Sequence, residues 1–398
     1  MNTHTDEKEE EMIPLSKTAL NQAPSGIRKM FELAKEYDNV INLCIGEPGF
    51  PTAENIINAC KEGLDKGYTK YTSNAGIDGL RKELARKLKR ENGISADPDT
   101  QIIVTAGGGV EAVLLTILTT VSQGDEVLVP TPCWPNYSEQ IKIAGGIMVP
   151  VPCLEKNGFV PQAVDIEQKI TDKTKVLILN SPCNPTGAMI PEEELWRIRD
   201  IVLKYNLTVI SDQPYERLVY DGRRAVSIGA LPDMDEHTVT VNTFSKTYAM
   251  SGWRVGYGTG PAHVIAEMVK LKEQTSSSVN ASAQYACIEA LKNSELTIQK
   301  MLEGYTDRRK ILVDGLNECK GVHCLYPAGA FYAFANIESF GVTAEELAID
   351  ILQKVQVVVT PGTAFGEAGE GFIRMSFASS EEELREAVKR LKNYFNEK

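Results

Sequence analysis

The sequence predicts an α/β protein: a mainly parallel sheet covered by helices on both faces, followed by a smaller α+β part. Two observations carry this. Through the middle of the chain, short β-branched runs alternate with longer helical stretches, and most of the runs are bounded by Gly, Pro, Asn or Asp. Such alternation is the pattern of a sheet built from strand–helix–strand units. The C-terminal third reads differently, with helices that carry capping boxes and only short strands between them.

The expected strands of the large sheet are Gln101–Thr105, Glu126–Pro130, Gly146–Pro152, Lys175–Asn180, Leu207–Ser211, Thr238–Thr243 and Arg254–Gly258. A long helical stretch is expected from Ala283 to Leu316. Two later helices open on Thr343 with Glu346 and on Ser380 with Glu383. The last has apolar residues at Leu384, Val388, Leu391 and Phe395, the spacing of a helix with one buried face. Short strands are expected at Gly329–Ile337, Val357–Val359 and Phe372–Ser376. The segment Asn39–Ile45 is expected to return and pack with them. The domain reading is therefore a flexible acidic tail over 1–12, an N-terminal part of a small domain over 13–46, a large domain over 47–290 and the rest of the small domain over 291–398.

Composition excludes several classes of function. A chain of 398 residues, 42% apolar and 24% charged, has the make-up of a folded globular protein large enough for two domains or more. A formal net charge of −12 argues against a dedicated nucleic-acid surface. No apolar run approaches the roughly 20 residues that cross a bilayer, so no membrane partner is expected. The first residues are polar and acid-rich and do not read as a secretory signal. Eight cysteines without a CxxC pair then read as reduced thiols in the cytoplasm. Four scattered histidines make no metal site, and none is expected.

Chemistry is concentrated in loops that follow the strands. Gly107-Gly108-Gly109-Val110-Glu111-Ala112 fits a dinucleotide-binding glycine pattern. The next strand, however, lacks an acid at its far end and closes on Pro130-Thr131-Pro132, so the nicotinamide reading fails. A glycine-rich backbone that opens a helix is still a cradle for some phosphate. Leu179-Asn180-Ser181-Pro182-Cys183-Asn184-Pro185-Thr186-Gly187 sets an amide in a rigid turn. Ser211-Asp212-Gln213-Pro214-Tyr215 sets a carboxylate three residues from a phenol. Thr243-Phe244-Ser245-Lys246-Thr247-Tyr248, running on to Gly252-Trp253-Arg254, brings hydroxyls, an amine and a guanidinium close together. Ligand sites of open parallel sheets lie outside the carboxyl ends of the strands, so these loops should converge.

Together with Pro327-Ala328-Gly329-Ala330-Phe331-Tyr332 and the 372–378 segment FIRMSFA, these segments resemble the class I and II, fold-type I aminotransferases that use pyridoxal 5'-phosphate. The resemblance runs from Ile13 to Phe395 and rests on five motifs in family order. It implies the residue roles. Lys246 holds the cofactor covalently and moves protons, and Asp212 keeps the pyridine nitrogen protonated. Asn184 and Tyr215 face the ring's phenolate oxygen, and Trp134 stacks on the ring. Gly107, Gly108, Gly109, Thr243, Ser245 and Arg254 hold the phosphate. Arg374 takes the substrate α-carboxylate with a planar pair of donors, beside the backbone of Gly46 and with Asn184. The resemblance also implies a homodimer with shared sites, in which Tyr71 reaches the neighbour's phosphate.

The implied reaction moves an amino group from an L-amino acid to a 2-oxo acid, with 2-oxoglutarate as the acceptor by analogy, through a ping-pong cycle. Relatives specific for dicarboxylates use an Arg in the segment after the lysine motif or a Lys at the cradle. Here no Arg occurs between Arg254 and Arg308, and the cradle position is Gly109. Neutral or aromatic amino acids are therefore the expected donors. Aspartate remains open, since Arg28 offers another cation, and a C–S β-lyase on the same fold is the alternative reaction. Cys133 before Trp134, and Gln213-Pro214 after Asp212, depart from the family's usual residues.

Overall fold

A computed structural model describes residues 13–24 and 26–398; the expected acidic tail lies outside the described residues. Seven strands form the main sheet, in the order Ile102–Thr105, Gly256–Thr259, Thr238–Thr243, Thr208–Asp212, Thr174–Asn180, Glu126–Thr131 and Ile147–Pro152. Gly256–Thr259 runs antiparallel to both its neighbours, and the remaining pairs are parallel. All seven expected strands are present, within two residues at each end.

Apart from the edge strand Ile147–Pro152, the sheet is largely buried on both faces, which is why Ile102–Thr105, Glu126–Thr131 and Thr174–Asn180 carry runs of apolar residues. Successive side chains point to opposite faces. Val176 and Ile178 pack with Val113, Ile117 and Met268, whereas Leu177 and Leu179 pack with Leu195, Ile198 and Val202. A one-residue slip would exchange these two sets.

The C-terminal part builds a four-stranded antiparallel sheet from Thr360–Pro361, Phe372–Ser376, Tyr332–Asn336 and His323–Cys324. Ile41–Asn42 returns to pair in parallel with Val357–Val358, as the sequence suggested. Both capping boxes form, Thr343 with Glu346 and Ser380 with Glu383. Each contributes about 1 kcal/mol to its helix.

The single long helix expected over 283–316 is a correction. There are two helices, Ala281–Asn293 and Glu295–Asn317, broken at Ser294 with φ −110° and ψ 6°. Asn293-Ser294 is a poor helix-forming pair, and the apolar spacing on either side does not reveal the break. Among the described residues, no helix is long and apolar enough to cross a membrane.

Candidate active site

The parallel strands of the main sheet end on one side, at Thr131, Asn180, Asp212 and Thr243, and the loops that follow converge there. Gly46, Gly109, Trp134, Asn184, Asp212, Tyr215, Thr243, Ser245, Lys246, Arg254 and Arg374 line one cavity of about 200 Å³. Gly107 and Gly108 are not among its lining residues but lie against Arg254, which is. Tyr71 stands apart, 93% exposed, on a separate open groove with Lys70, Ser278 and Asn280.

One end of the cavity is built to hold an anion. The helix Gly109–Thr120 begins there, and its first N–H groups have no partner within the helix. Gly108 has φ +72°, and a Cβ on it would come within 3.2 Å of Arg254 Nη2 and 3.5 Å of Thr243 Oγ1. The loop therefore brings bare backbone against a guanidinium and a hydroxyl. Thr243 Oγ1 accepts from the Ser245 N–H at 3.1 Å and lies 2.8 Å from Ser245 Oγ. Arg254 donates to the carbonyls of Ser251, at 2.7 Å, and Gly107. Gly107 differs from its two neighbours. Its N–H donates to Glu111 Oε2 at 2.6 Å and is thus already engaged.

Asp212 and Lys246 are tuned in opposite directions. Burial pushes the Asp212 carboxyl from 3.8 up to about 7, against the hydrogen bond from Tyr137, which pulls it down. Burial also lowers the Lys246 amine from 10.5 to about 8, opposed by Glu47 and helped by Arg254 and Arg374. Lys246 Nζ donates to the Gly46 carbonyl and lies 5.7 Å from the centre of the Phe331 ring. An amine with that pKa is partly neutral near pH 8 and can act as a nucleophile.

Arg374 lines the same cavity and is 1% exposed. Its Nη1 donates to Asn184 Oδ1 at 2.9 Å and its Nη2 to the Cys44 carbonyl at 2.6 Å, while Nε has no partner. Its guanidinium carbon is 4.4 Å from the Tyr332 ring centre and 4.7 Å from that of Phe365. A buried cation without a carboxylate partner is costly, and a bound anion would offset that cost. The Tyr215 and Tyr332 hydroxyls are 2.9 Å apart, and burial raises both phenols above their ordinary pKa.

Sequence reasoning assigned no role to six cavity residues: Ile27, Val110, Tyr137, Asn180, Pro214 and Tyr332. Tyr137 meets Asp212, and it could have been found from its place three residues after Trp134, where a loop enters a helix. Asn180 accepts from the Asn184 N–H at 2.9 Å and donates to the Asp212 carbonyl at 3.0 Å, joining two loops. Tyr332 belongs to a recognised motif but received no function. Ile27 comes from the N-terminal segment and carries no signal in sequence.

The residues fit pyridoxal phosphate. A Cβ on Gly108 would crowd the anion cradle, the buried Arg374 keeps one guanidinium nitrogen without a partner, and a buried carboxyl, an amine and an indole line the same cavity.

Comparison with known proteins agrees. Residues 38–391 match the family model for aminotransferase class I and II. The chain is 41% identical over 377 residues to an aspartate aminotransferase of Pyrococcus abyssi, covering 94% of this chain and 96% of that one. It is equally similar, 41% over 377 residues, to aromatic-amino-acid aminotransferase 2 of Thermococcus litoralis, again covering 94% and 96%. The solved structure of the Thermus thermophilus aspartate aminotransferase with maleate superimposes with a TM-score of 0.91 at 38% identity, covering 96% of this chain and all of that one. This chain belongs to the class I and II aminotransferases, fold-type I enzymes that use pyridoxal phosphate to transfer an amino group from an amino acid to a 2-oxo acid.

Proposed function

We propose that the donor is a neutral or aromatic L-amino acid and that 2-oxoglutarate is the acceptor, in two half-reactions of a ping-pong cycle. One observation carries the donor assignment. Among the described residues, three cations line the cavity, and each has a role to fill: Lys246 the amine, Arg254 the phosphate end, Arg374 the α-carboxylate. Ile27, Val110, Trp134, Pro214 and Tyr332 give the wall apolar and aromatic surface, which suits an apolar or aromatic side chain.

Pyridoxal phosphate, when bound, supplies a carbonyl for the amine and a ring that draws electrons from the substrate α-carbon. The chain supplies the rest. Gly108, Gly109, Thr243, Ser245 and Arg254 bind the phosphate, and Trp134 provides a flat aromatic wall. Asp212, as a carboxylate, would pair with the ring nitrogen and keep it charged. Lys246 Nζ, relieved of part of its charge by burial, accepts and returns the proton. Arg374 orients the carboxylate of amino and oxo acid alike, and Asn184 holds the guanidinium in place. Tyr215 offers its hydroxyl from beside Asn184, and Tyr332 steadies it.

A homodimer completes this reading. Exposure of a large aromatic such as Tyr71 beside Ser278 and Asn280 supports a second subunit covering that groove. Eight unpaired cysteines support a cytoplasmic location.

Aspartate as donor is a second reading, favoured by the Pyrococcus relative named above. The holoenzyme's kcat/KM with 2-oxoglutarate separates the two. Phenylalanine, tyrosine or leucine should exceed aspartate by about tenfold or more, since a desolvated carboxylate without a partner costs at least that factor. A preference for aspartate would reverse the assignment. Release of ammonia and pyruvate from a β-substituted substrate would select the lyase.

A further inference from the structure

Behind the turn that carries Asp212 and Tyr215 lies a buried polar cluster that the reaction itself does not use. Lys87 ends the helix Asp78–Lys87, and its side chain is 2% exposed. Its ammonium meets the carboxylate of Glu216, itself 6% exposed, and donates to Asn92 Oδ1 at 2.8 Å. Asn92 Nδ2 donates to Gln213 Oε1 at 3.3 Å and to Glu216 Oε2. Gln213 Nε2 then donates to Ser211 Oγ and Ser227 Oγ, each at 2.9 Å. Glu91 lies 3.8 Å from Lys87 and pairs with Arg217 at 3.3 Å, which closes the cluster on its outer side.

The backbone is wound to make this possible. In an α-helix, a side chain five positions on points about 140° away. Here the chain takes a π turn over Leu88–Asn92, ended by Gly93 at φ +75°, and Lys87 and Asn92 face the same point. Such turns are rare and gather at functional sites. The two residues held, Gln213 and Glu216, are those directly after Asp212 and Tyr215.

We propose that Lys87 and Asn92 are positioning residues that hold Asp212 and Tyr215 against the cofactor by clamping Gln213 and Glu216. This rests on the roles proposed above for Asp212 and Tyr215. Gln213 joins the clamp from both ends of its amide: its oxygen accepts from Asn92 while its nitrogen donates to the two serine hydroxyls.

The test must separate positioning from plain stability. Removing one charge of a buried pair leaves the other uncompensated, whereas removing both does not. The variant is therefore Lys87→Met with Glu216→Met, purified as holoenzyme. Three quantities are read: the thermal midpoint, the pH midpoint of the visible band of the lysine-linked cofactor, and the rate of cofactor loss. The expected result is a thermal midpoint near wild type, a spectroscopic midpoint moved by about one pH unit and cofactor loss about tenfold faster, each equal to a tenfold change in an equilibrium or rate. An unmoved spectroscopic midpoint and unchanged cofactor retention would overturn the proposal. If the double variant fails to fold, Gln213→Met is read the same way, since it keeps both charges and removes only the hydrogen bonds to Asn92, Ser211 and Ser227. A wild-type protein without a lysine-linked band would overturn the site reading beneath it.

Discussion

Tyr137 donates a hydrogen bond to Asp212, from phenol Oη to carboxylate Oδ2 at 2.5 Å, with both side chains buried. The bond counters the burial that pushes the carboxyl up to about 7, while burial and the same carboxylate raise the phenol's pKa. Tyr137 therefore keeps Asp212 ionisable in a place where burial alone would neutralise it.

Replacing Tyr137 by Phe removes that donor. A hydrogen bond to a charged group is worth about 1.5–3 kcal/mol, or about one to two pKa units. The ionised carboxylate is the working form, so the acidic limb of the kcat–pH profile should move to higher pH by that amount. An unmoved limb would remove Tyr137 from the account.

Asp212→Asn should separate stability from activity. In the cofactor-free protein, the folded pKa of about 7 lies above the ordinary 3.8. The native state then binds the extra proton between those values, and stability falls as pH rises through them. Wild type should lose on the order of 4 kcal/mol, relative to the variant, between pH 3.8 and 7. Denaturant midpoints against pH would show this, while turnover of the reconstituted variant falls by several orders of magnitude. Parallel stability curves for the two proteins would contradict it.

Arg374→Lys keeps the charge and loses the fork. The two donors that reach Asn184 and Cys44, and the unpaired Nε, cannot be reproduced by one ammonium. The KM of the amino acid and of the oxo acid should both rise by about a hundredfold, equivalent to about 2.7 kcal/mol. A rise in only one would mean that the two substrates do not share this residue.

Gly108→Ala tests the cradle. The left-handed backbone strains alanine, and its Cβ would press on Arg254 Nη2 at 3.2 Å. Affinity for pyridoxal phosphate should fall about tenfold or more, and affinity for pyridoxal without its phosphate should change little. Equal losses for both would place the damage outside the cradle.

Much of this was legible in the sequence because most of the groups given a role follow the end of a strand, although Arg374 lies within one. Asp212, Asn184 and Lys246 follow apolar runs whose ends are marked by polar residues, so spacing and topology agree. The break at Ser294 was hidden because the apolar pattern continues past it and only two residues of low helix propensity mark it. Tyr137 and Asn180 were missed because they act across loops distant in sequence: the Tyr137 phenol reaches a carboxylate 75 positions away. Gly107 reads as a member of the cradle, yet its N–H is taken by Glu111, four residues on in the same loop and helix.

The most direct measurement follows the visible spectrum of the purified holoenzyme while single L-amino acids are added without any oxo acid. Conversion of the lysine-linked band to the aminated form of the cofactor by neutral or aromatic amino acids, reversed by 2-oxoglutarate, is the predicted result. A band that no amino acid converts, or one that persists while a β-substituted substrate yields ammonia and pyruvate, would contradict it.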